Sequence, residues 1–305
     1  MRVFLAGATG AIGTPLVPQL LEAGHEVTAM TRSVLRAAQL EAAGAAAVAS
    51  DVYDADGVRA AMADCSPDAV IHQLTSLPPR IDFADPHAFD AHNRVRTEGT
   101  RILVDAALAT GARRVIAQSI AFVYVPTGDR IKEEDVPLFT DAPPPLGAVV
   151  AAVAELERLV TGTAGIEGIV LRYGLLYGPG TAYDRRGSTA ADVAAGRVPL
   201  VEGATGIYSW LHVDDAASAA VAALERGAPG LYNVVDDEPA PQPEWLPVLA
   251  RALGADPPAA AEAPPPPYAP EMSMHGASNA KAKRELGWQP RHPSWREGFA
   301  ASLQP

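Results

Sequence analysis

The sequence holds one cysteine, Cys65, and three lysines, Lys132, Lys281 and Lys283, in 305 residues. A single cysteine excludes an intramolecular disulfide framework and fits a reducing cytoplasm. Positive charge is scarce: 24 Lys and Arg stand against 36 Asp and Glu, a net charge of −12. That balance argues against nucleic acid or an anionic membrane as the main partner, although a local basic spot could still hold a phosphate. No window reaches the roughly 18 uninterrupted apolar residues of a membrane helix. The opening MRVFLAG is too short for a signal peptide and runs into a glycine turn, so it reads as a strand. His25, His72, His87, His92, His212, His275 and His292 lack zinc-like spacing with cysteines or carboxylates, so no metal site is expected. No feature points to an oligomeric state.

What is present suits a globular chain: 48% hydrophobic and 20% charged residues, with length enough for one large α/β domain or a domain plus an appendage. RVFLA, HEVTAM, AAVAS, DAVIHQ and RRVIAQS read as buried strands, and IEGIVLRYG and GLYNVVD as two more. GTPLVPQLLEAG and FDAHNRVRTEGTRILVDAALATGA read as helices, each closed by glycine. Alternation of this kind predicts a doubly wound parallel sheet, α/β in class, with right-handed crossovers. The division expected is a dinucleotide-binding domain over 1–172 with a returning strand and helix near 206–235. Residues 173–205 and 236–305 would form a smaller C-terminal substrate-binding region. DPPAAAEAPPPPYAP is too proline-rich for a helix or interior strand, and reads as a linker or a wall over a cleft. SNAKAKRELGWQP reads as a short helix capped by Asn279 or Ser278 and stopped by Gly287.

The cofactor signal is Gly7-Ala-Thr9-Gly10-Ala11-Ile12-Gly13 between the first strand and the first helix. Glycines there allow a tight turn, close approach of backbone to a pyrophosphate, and packing of the helix on the sheet. At the end of the second strand, where NAD binders usually place a carboxylate, the chain has Thr31-Arg32-Ser33 with Arg36 one turn on. A hydroxyl followed by arginine accepts a 2′-phosphate, so NADP(H) is the expected cofactor.

These motifs together resemble the extended short-chain dehydrogenase/reductase superfamily, of the NAD-dependent epimerase/dehydratase kind. The match spreads from GATGAIG through RTEGTRILVDAA, AQSIAFVY, LRYGLLYGPG and WLHVDDAA to AKRELGWQP. The resemblance implies that Asp51 and Val52 border the adenine, that Leu74 and Thr75 line the cofactor ribose, and that Tyr173, Gly174 and Leu175 lie near the nicotinamide. His212, Asp214 and Asp215 also match, but two acids before AASAAVAALERG read better as a helix cap.

The superfamily normally carries Tyr-x-x-x-Lys on the helix after the fifth strand, with a Glu four residues beyond the Lys. At i, i+4 both side chains share a face, and the ammonium lowers the phenol pKa for proton transfer. None of the eight tyrosines has lysine four residues later. Anchoring on Glu155 puts the Lys position at Ala151 and the Tyr position at Gly147, which become candidate substrate-lining residues. Ser119 is the candidate donor to a substrate carbonyl, with Tyr173 a second polar candidate. Aligning from Tyr124 instead puts Ile120 at the serine position.

The reading that follows is an NADPH-dependent ketoreductase acting on a large aromatic, polyketide-like ketone, whose own phenol beside the carbonyl supplies the proton. The chain is similar to antibiotic-pathway ketoreductases of the angucyclinone, simocyclinone-type kind in its length, its NADP-type arginine and its empty helix. A non-catalytic NADP-binding regulator and a sugar-nucleotide epimerase or dehydratase are the alternatives. The second needs the missing tyrosine as base.

Overall fold

Each β-branched run near the N-terminus becomes a strand, and each Ala/Leu-rich run the helix that returns the chain over the sheet. In the computed structural model, which describes residues 1–78, 80–81, 85, 87–262 and 274–303, the order is as follows. The first half runs β1 (Arg2–Ala6), α1 (Gly13–Glu22), β2 (Glu26–Thr31), α2 (Val34–Ala42), β3 (Ala46–Ala49), α3 (Ala55–Cys65) and β4 (Ala69–His72). Helix α4 (Asp90–Arg94) continues through a π-helical turn, Val95–Gly99, into α5 (Thr100–Thr110), and β5 (Arg114–Ile120) follows. Next come β6 (Ile131–Lys132), α6 (Leu146–Gly162), β7 (Glu167–Tyr173), β8 (Leu175–Tyr177), α7 (Ser188–Ala194) and β9 (Leu200–Val201). Strands β10 (Ile207–Tyr208) and β11 (Trp210–His212) lead to α8 (Val213–Arg226) and β12 (Gly230–Val234). The remainder is β13 (Ala240–Pro241), α9 (Gln242–Leu253), β14 (Ala260–Ala261), β15 (Gly276–Ala277) and two terminal helices, Ala280–Leu286 and Trp295–Ser302.

The main sheet is parallel throughout, in the order β12-β7-β5-β4-β1-β2-β3. The expected doubly wound α/β fold is therefore what forms. Chain direction across the sheet reverses between β1 and β4, so a crevice opens there at the strand C-termini, where such folds bind ligands. Both faces are buried, as continuous apolar strands require. Val3, Leu5 and Ile71 face a core shared with α1 and α8, while Phe4, Ala6 and Val70 face one shared with α3, α5 and α6. Complete burial of side chains such as Phe4 and Leu5 contributes roughly 1.5–3 kcal/mol each. Alanines 216, 217, 219, 220 and 223 let α8 lie close against the sheet and α1.

The C-terminal region builds its own aromatic core from Tyr177, Tyr208, Trp210, Trp245, Trp295 and Phe299. The segment 181–206, with mixed helix and turn signals, leaves the main sheet as α7 and β9. The stretch read as too proline-rich for a strand supplies two-residue β14, paired with β9, and its residues from 263 on lie outside the described residues. The helix expected in SNAKAKRELGWQP spans Ala280–Leu286; Asn279 stands at the cap position without a side-chain capping bond, Ser278 accepts the Ala280 amide at 3.3 Å, and Gly287 is in the left-handed conformation at its end.

The paired acids before α8 are not its cap, as the sequence suggested. His212 is, its Nδ1 accepting the Asp214 amide at 3.1 Å. Asp215 is fully buried and accepts the amides of Arg291 and His292 at 2.7 and 2.9 Å, and Asp236 accepts that of Trp295 at 3.1 Å. Two carboxylates thus fasten the terminal segment to the domain.

One buried ion pair joins the sheet to α6. Arg172 on β7 forms a two-pronged contact with Glu157, Nε to Oε1 at 2.8 Å and Nη2 to Oε2 at 2.7 Å, with both side chains under a tenth exposed. Ser119 of β5 donates to the same Glu157 oxygen at 2.9 Å. Arg172 Nη1 donates to the Tyr124 hydroxyl at 2.8 Å and to the Glu134 carbonyl at 3.2 Å, and Tyr124 donates to Asn233 of β12. Removing one member strands the other charge in the interior. Glu157→Gln is expected to lower unfolding free energy by about 3–5 kcal/mol, with much of that recovered by the double change Glu157→Leu/Arg172→Met, as read by urea denaturation. Equal stability of the single variant and the wild type would contradict the assignment.

Candidate functional site

The glycine loop lies at the mouth of the β1/β4 crevice. Gly7 has φ +97°, and a Cβ there would sit 2.6 Å from the Gln73 carbonyl carbon. A Cβ on Gly13 would come 2.1 Å from the Gly7 carbonyl oxygen, so α1 packs on the loop only because that residue is glycine. Gly10 differs: a Cβ would meet only an ordinary contact, at 3.5 Å, and the residue is exposed. The protein itself does not require a glycine at that position. The space a side chain would take there is open to a molecule lying against the loop, and a pyrophosphate is what such a cradle fits. Ile12 precedes α1 without a side-chain cap, while the Thr14 amide donates to the Gly10 carbonyl at 2.9 Å, and Ala11 stands half-buried beside it, 3.6 Å from a Cβ built on Gly180.

At the end of β2, Ser33 caps α2 by accepting the Arg36 amide, and Arg36 Nη1 donates to the Thr9 carbonyl at 3.1 Å. Arg36 thus ties α2 to the glycine loop. Thr31 is buried, and its hydroxyl accepts the Ser33 amide at 3.3 Å, so it shapes the turn from inside. Arg32 is exposed and, among the described residues, no ion pair or hydrogen bond holds it. Asp51 is exposed and accepts the Tyr53 amide at 3.0 Å, while Val52 is buried against Gly99.

Beyond β4 the chain is held by histidines. His72 Nδ1 accepts the Leu74 amide at 3.1 Å, and its Nε2 lies 3.1 Å from the Thr100 hydroxyl. His92 Nδ1 accepts the Ser76 amide at 3.2 Å. With Nδ1 accepting, each ring is the neutral Nε2–H tautomer. Burial pushes His72 down to about 4 and His92 to about 3. Leu74, half-buried, and Thr75, exposed, are thereby presented at the crevice. His72 reads from its place at a strand end as a packed or cofactor-adjacent residue, whereas the role of His92 was missed, because a lone histidine on a helix carries no spacing signal.

Helix α6 corrects the expected register. Gly147, Ala151 and Glu155 form one stripe, and Val149, Val153 and Glu157 another, about 200° round the helix. Glu155 faces solvent and pairs with Arg101 and Arg158. Glu157 faces β5 and β7. Anchoring on Glu157 places Val153 and Val149 where the superfamily carries Lys and Tyr. Both are buried in an apolar cluster with Val123 and Val150, against which Ile120, Phe89 and Phe122 pack. Gly147 instead turns toward the Ala142 carbonyl, whose oxygen would lie 2.5 Å from a Cβ built on the glycine, and Ala151 is exposed. Neither is on the stripe that meets β5.

Ser119 is likewise corrected. It is buried and donates to Glu157, inside the ion-pair network, whereas the next residue, Ile120, stands half-buried at the strand end beside the valines. The alignment from Tyr124 is the one the geometry supports. Tyr173 is also engaged elsewhere: its hydroxyl donates to the Ala216 carbonyl and accepts from Gln73, and burial raises its pKa. It sits in the core rather than at the crevice. Gly174 is buried, with room for no side chain before the Ser209 carbonyl, and Leu175 is half-buried beside the C-terminal aromatic core. The lysines lie elsewhere. Lys132 donates to the Thr127 carbonyl, Lys281 to the Leu231 carbonyl, and Lys283 pairs with Asp237.

The C-terminal segment brings His212, Asp214 and His292 together, with ligand atoms within 4.8 Å. The His212 and His292 ring centroids lie 4.0 Å apart with the planes tilted by 35°, and His212 Nδ1 is already engaged in the α8 cap. Spacing could not show this group, because His292 reaches it only through the Asp215 contacts. Among the described residues, no helix is long and apolar enough to cross a membrane.

With this geometry, residues 3–234 match the NAD dependent epimerase/dehydratase family. The chain belongs to that family. A relative from a Streptomyces species, the 3-diazoavenalumate denitrifying reductase, is 50% identical and the match covers 98% of this chain and 99% of that protein. A 4-hydroxy-2-methyl-3-oxo-4-farnesyl-3,4-dihydroquinoline-1-oxide ketoreductase of Stigmatella aurantiaca is 26% identical over 83% of this chain and 74% of its own. Among solved structures, the Thermus thermophilus UDP-glucose 4-epimerase in complex with NAD superposes with a TM-score of 0.78 at 26% identity, covering 99% and 97% of the two chains. The family resemblance read from the motifs is thus established, and a nicotinamide dinucleotide fits the glycine cradle.

Two outcomes check this geometry. Ser119→Ala is expected to leave reductase turnover within a few-fold, where loss of a donor to a reacting oxygen costs about 10²–10³-fold. The buried His72 makes the fold acid-sensitive. The unfolded chain takes up this proton below about 6.5 and the folded one only below about 4, so stability falls as pH drops through that window. His72→Asn, which keeps an acceptor for the Leu74 amide, should flatten that limb by about 3 kcal/mol in denaturation series at two pH values. An unchanged slope would mean the histidine is not held neutral.

Proposed function

We propose that this protein is an NADPH-dependent reductase of an aromatic substrate that transfers hydride without a proton from the protein. The observation that carries the reading is the replacement of all three polar positions of the superfamily by Ile120, Val149 and Val153. Bound in the cradle, the nicotinamide supplies the hydride. The chain's part is to position the two reactants, exclude water and wall the reacting end with aliphatic and aromatic side chains.

Such a site suits a substrate that accumulates no unprotonated alkoxide. An aryl diazo compound meets that condition best. An aryl diazonium that accepts hydride and releases dinitrogen becomes the arene: one positive and one negative charge cancel, the C–N bond is replaced by C–H, and no proton is consumed. Full-length similarity to a denitrifying reductase of a diazo substrate supports this choice. A second reading, reduction of a ketone flanked by its own phenol, draws support from the ketoreductase relative. There the substrate's hydroxyl would protonate the oxygen. An epimerase role has no support in the site, since oxidation of an unactivated hydroxyl needs a base and the wall offers none.

NADPH over NADH is supported by Arg32, exposed at the β2 end with no carboxylate beside it in sequence, and by Arg36 bridging to the glycine loop. Arg32→Ala is expected to weaken NADPH binding about tenfold or more and to leave NADH nearly unchanged, as measured by fluorescence titration of both cofactors. Equal loss for both would mean that the 2′-phosphate is read elsewhere.

The substrate assignment is tested with cofactor deuterated at the transferring position. A hydroxyaryl diazonium should yield ring-deuterated arene and one equivalent of gas per cofactor oxidised. Turnover of an ortho-hydroxyaryl ketone with none of the diazonium would select the second reading. Tight NADPH binding with no turnover of either would make the protein a cofactor-binding regulator.

A further inference from the structure

Among the described residues, the buried Nη1 of Arg96 has no partner. The residue is 7% exposed, its Nη1 makes no hydrogen bond, and no carboxylate pairs with it among the described residues. Arginines buried this deeply are almost always paired, because a charge removed from water and left uncompensated costs several kcal/mol. Elsewhere in this chain the rule holds: Arg172, as deeply buried, has Glu157 and Tyr124. Burial depresses Arg96 to about 10, and no acid among the described residues offsets it.

Its position is informative. Arg96 lies in the π-helical turn between α4 and α5, four residues after His92 and four before Thr100. That spacing puts the three on one inward stripe. His92 holds the Ser76 amide and Thr100 contacts His72, so the stripe faces the loop that leaves β4 at the crevice. Phe89, three residues before His92, packs on the apolar wall formed by Val149 and Val153. The turn that carries Arg96 also packs against α6, the helix that bears that wall. Asn93, three residues earlier, also has a buried side-chain oxygen with no partner. The adjacent histidines are neutral, so they neither repel an anion strongly nor compensate the arginine.

We infer that Arg96 is the receptor for a carboxylate on the aromatic substrate, holding the end of the molecule remote from the reacting carbon. A planar guanidinium matches a carboxylate with two parallel hydrogen bonds, which gives direction as well as affinity. In a chain of net charge −12, one buried unpaired arginine is a selective place for an anion. The inference rests on the aromatic-substrate reading for the ring but not on which group is reduced.

The test is calorimetric binding of cinnamate and methyl cinnamate to the protein loaded with NADPH. Wild type is expected to prefer the acid by at least about tenfold. Arg96→Met should abolish the preference, retain NADPH affinity, and melt no lower than wild type in the absence of ligand, because an uncompensated buried charge has been removed. Arg96→Lys should keep part of the preference, and it serves if the methionine variant does not fold. Equal binding of acid and ester by wild type would overturn the assignment, as would a preference surviving in Arg96→Met. A loss confined to NADPH affinity would overturn it too, by placing a cofactor phosphate on Arg96. Failure of hydride transfer to a diazonium would leave these binding results untouched, so the two readings fail separately.

Discussion

The buried pair between Glu157 and Arg172 fixes what the rest of the site can be. It spans α6 and β7, takes in Ser119 of β5, and reaches β12 through Tyr124 and Asn233. Satisfying a charge in the interior demands near-ideal geometry, so the pair sets not only the position of α6 but its rotation. Once Glu157 points at the sheet, residues four and eight earlier must point along the same side. Those residues are Val153 and Val149, and Ile120 meets them from the strand end. The apolar wall is a consequence of the ion pair's register.

On the proposed reading, that wall determines the class of chemistry. Most members of this superfamily pass a proton as well as a hydride, and keep a phenol and an ammonium for the purpose. Here the tyrosines nearest the sheet ends, Tyr124 and Tyr173, are bound into the core, and each lysine serves the edge near β6 and β12 or the terminal helix. What the fold retains is the cofactor half: a loop whose Gly7 and Gly13 are required by backbone contacts and whose Gly10 is open to a ligand. On the proposed reading, a site with hydride delivery and no acid is matched to an electrophile that discharges itself, which loss of dinitrogen accomplishes.

Much of this was legible in the sequence. The seven strands, the glycine loop and the Gly287 helix stop follow from local pattern, because backbone sterics and burial on both faces leave short runs few choices. The absence of Tyr-x-x-x-Lys is a matter of counting. The face of α6 was not legible: Glu155 and Glu157 both fit the motif, and an alanine-rich helix has too little periodicity to choose between them. Only the distant Arg172 chooses. Ser119 was misassigned for the same reason, since one residue along a strand exchanges the two faces. The roles of Asp215 and Arg96 depend on partners gained or lacking across 76 residues of chain or a helix turn, and no local signal reports either.

The measurement that bears most directly on the account is the pH dependence and solvent deuterium isotope effect of hydride transfer to an aryl diazonium. The expected result is a rate without an enzyme ionisation across the neutral range, no solvent effect, and a primary effect from deuterated NADPH. A bell-shaped profile with a solvent isotope effect would show a proton moving from the protein in the transition state, and would contradict it.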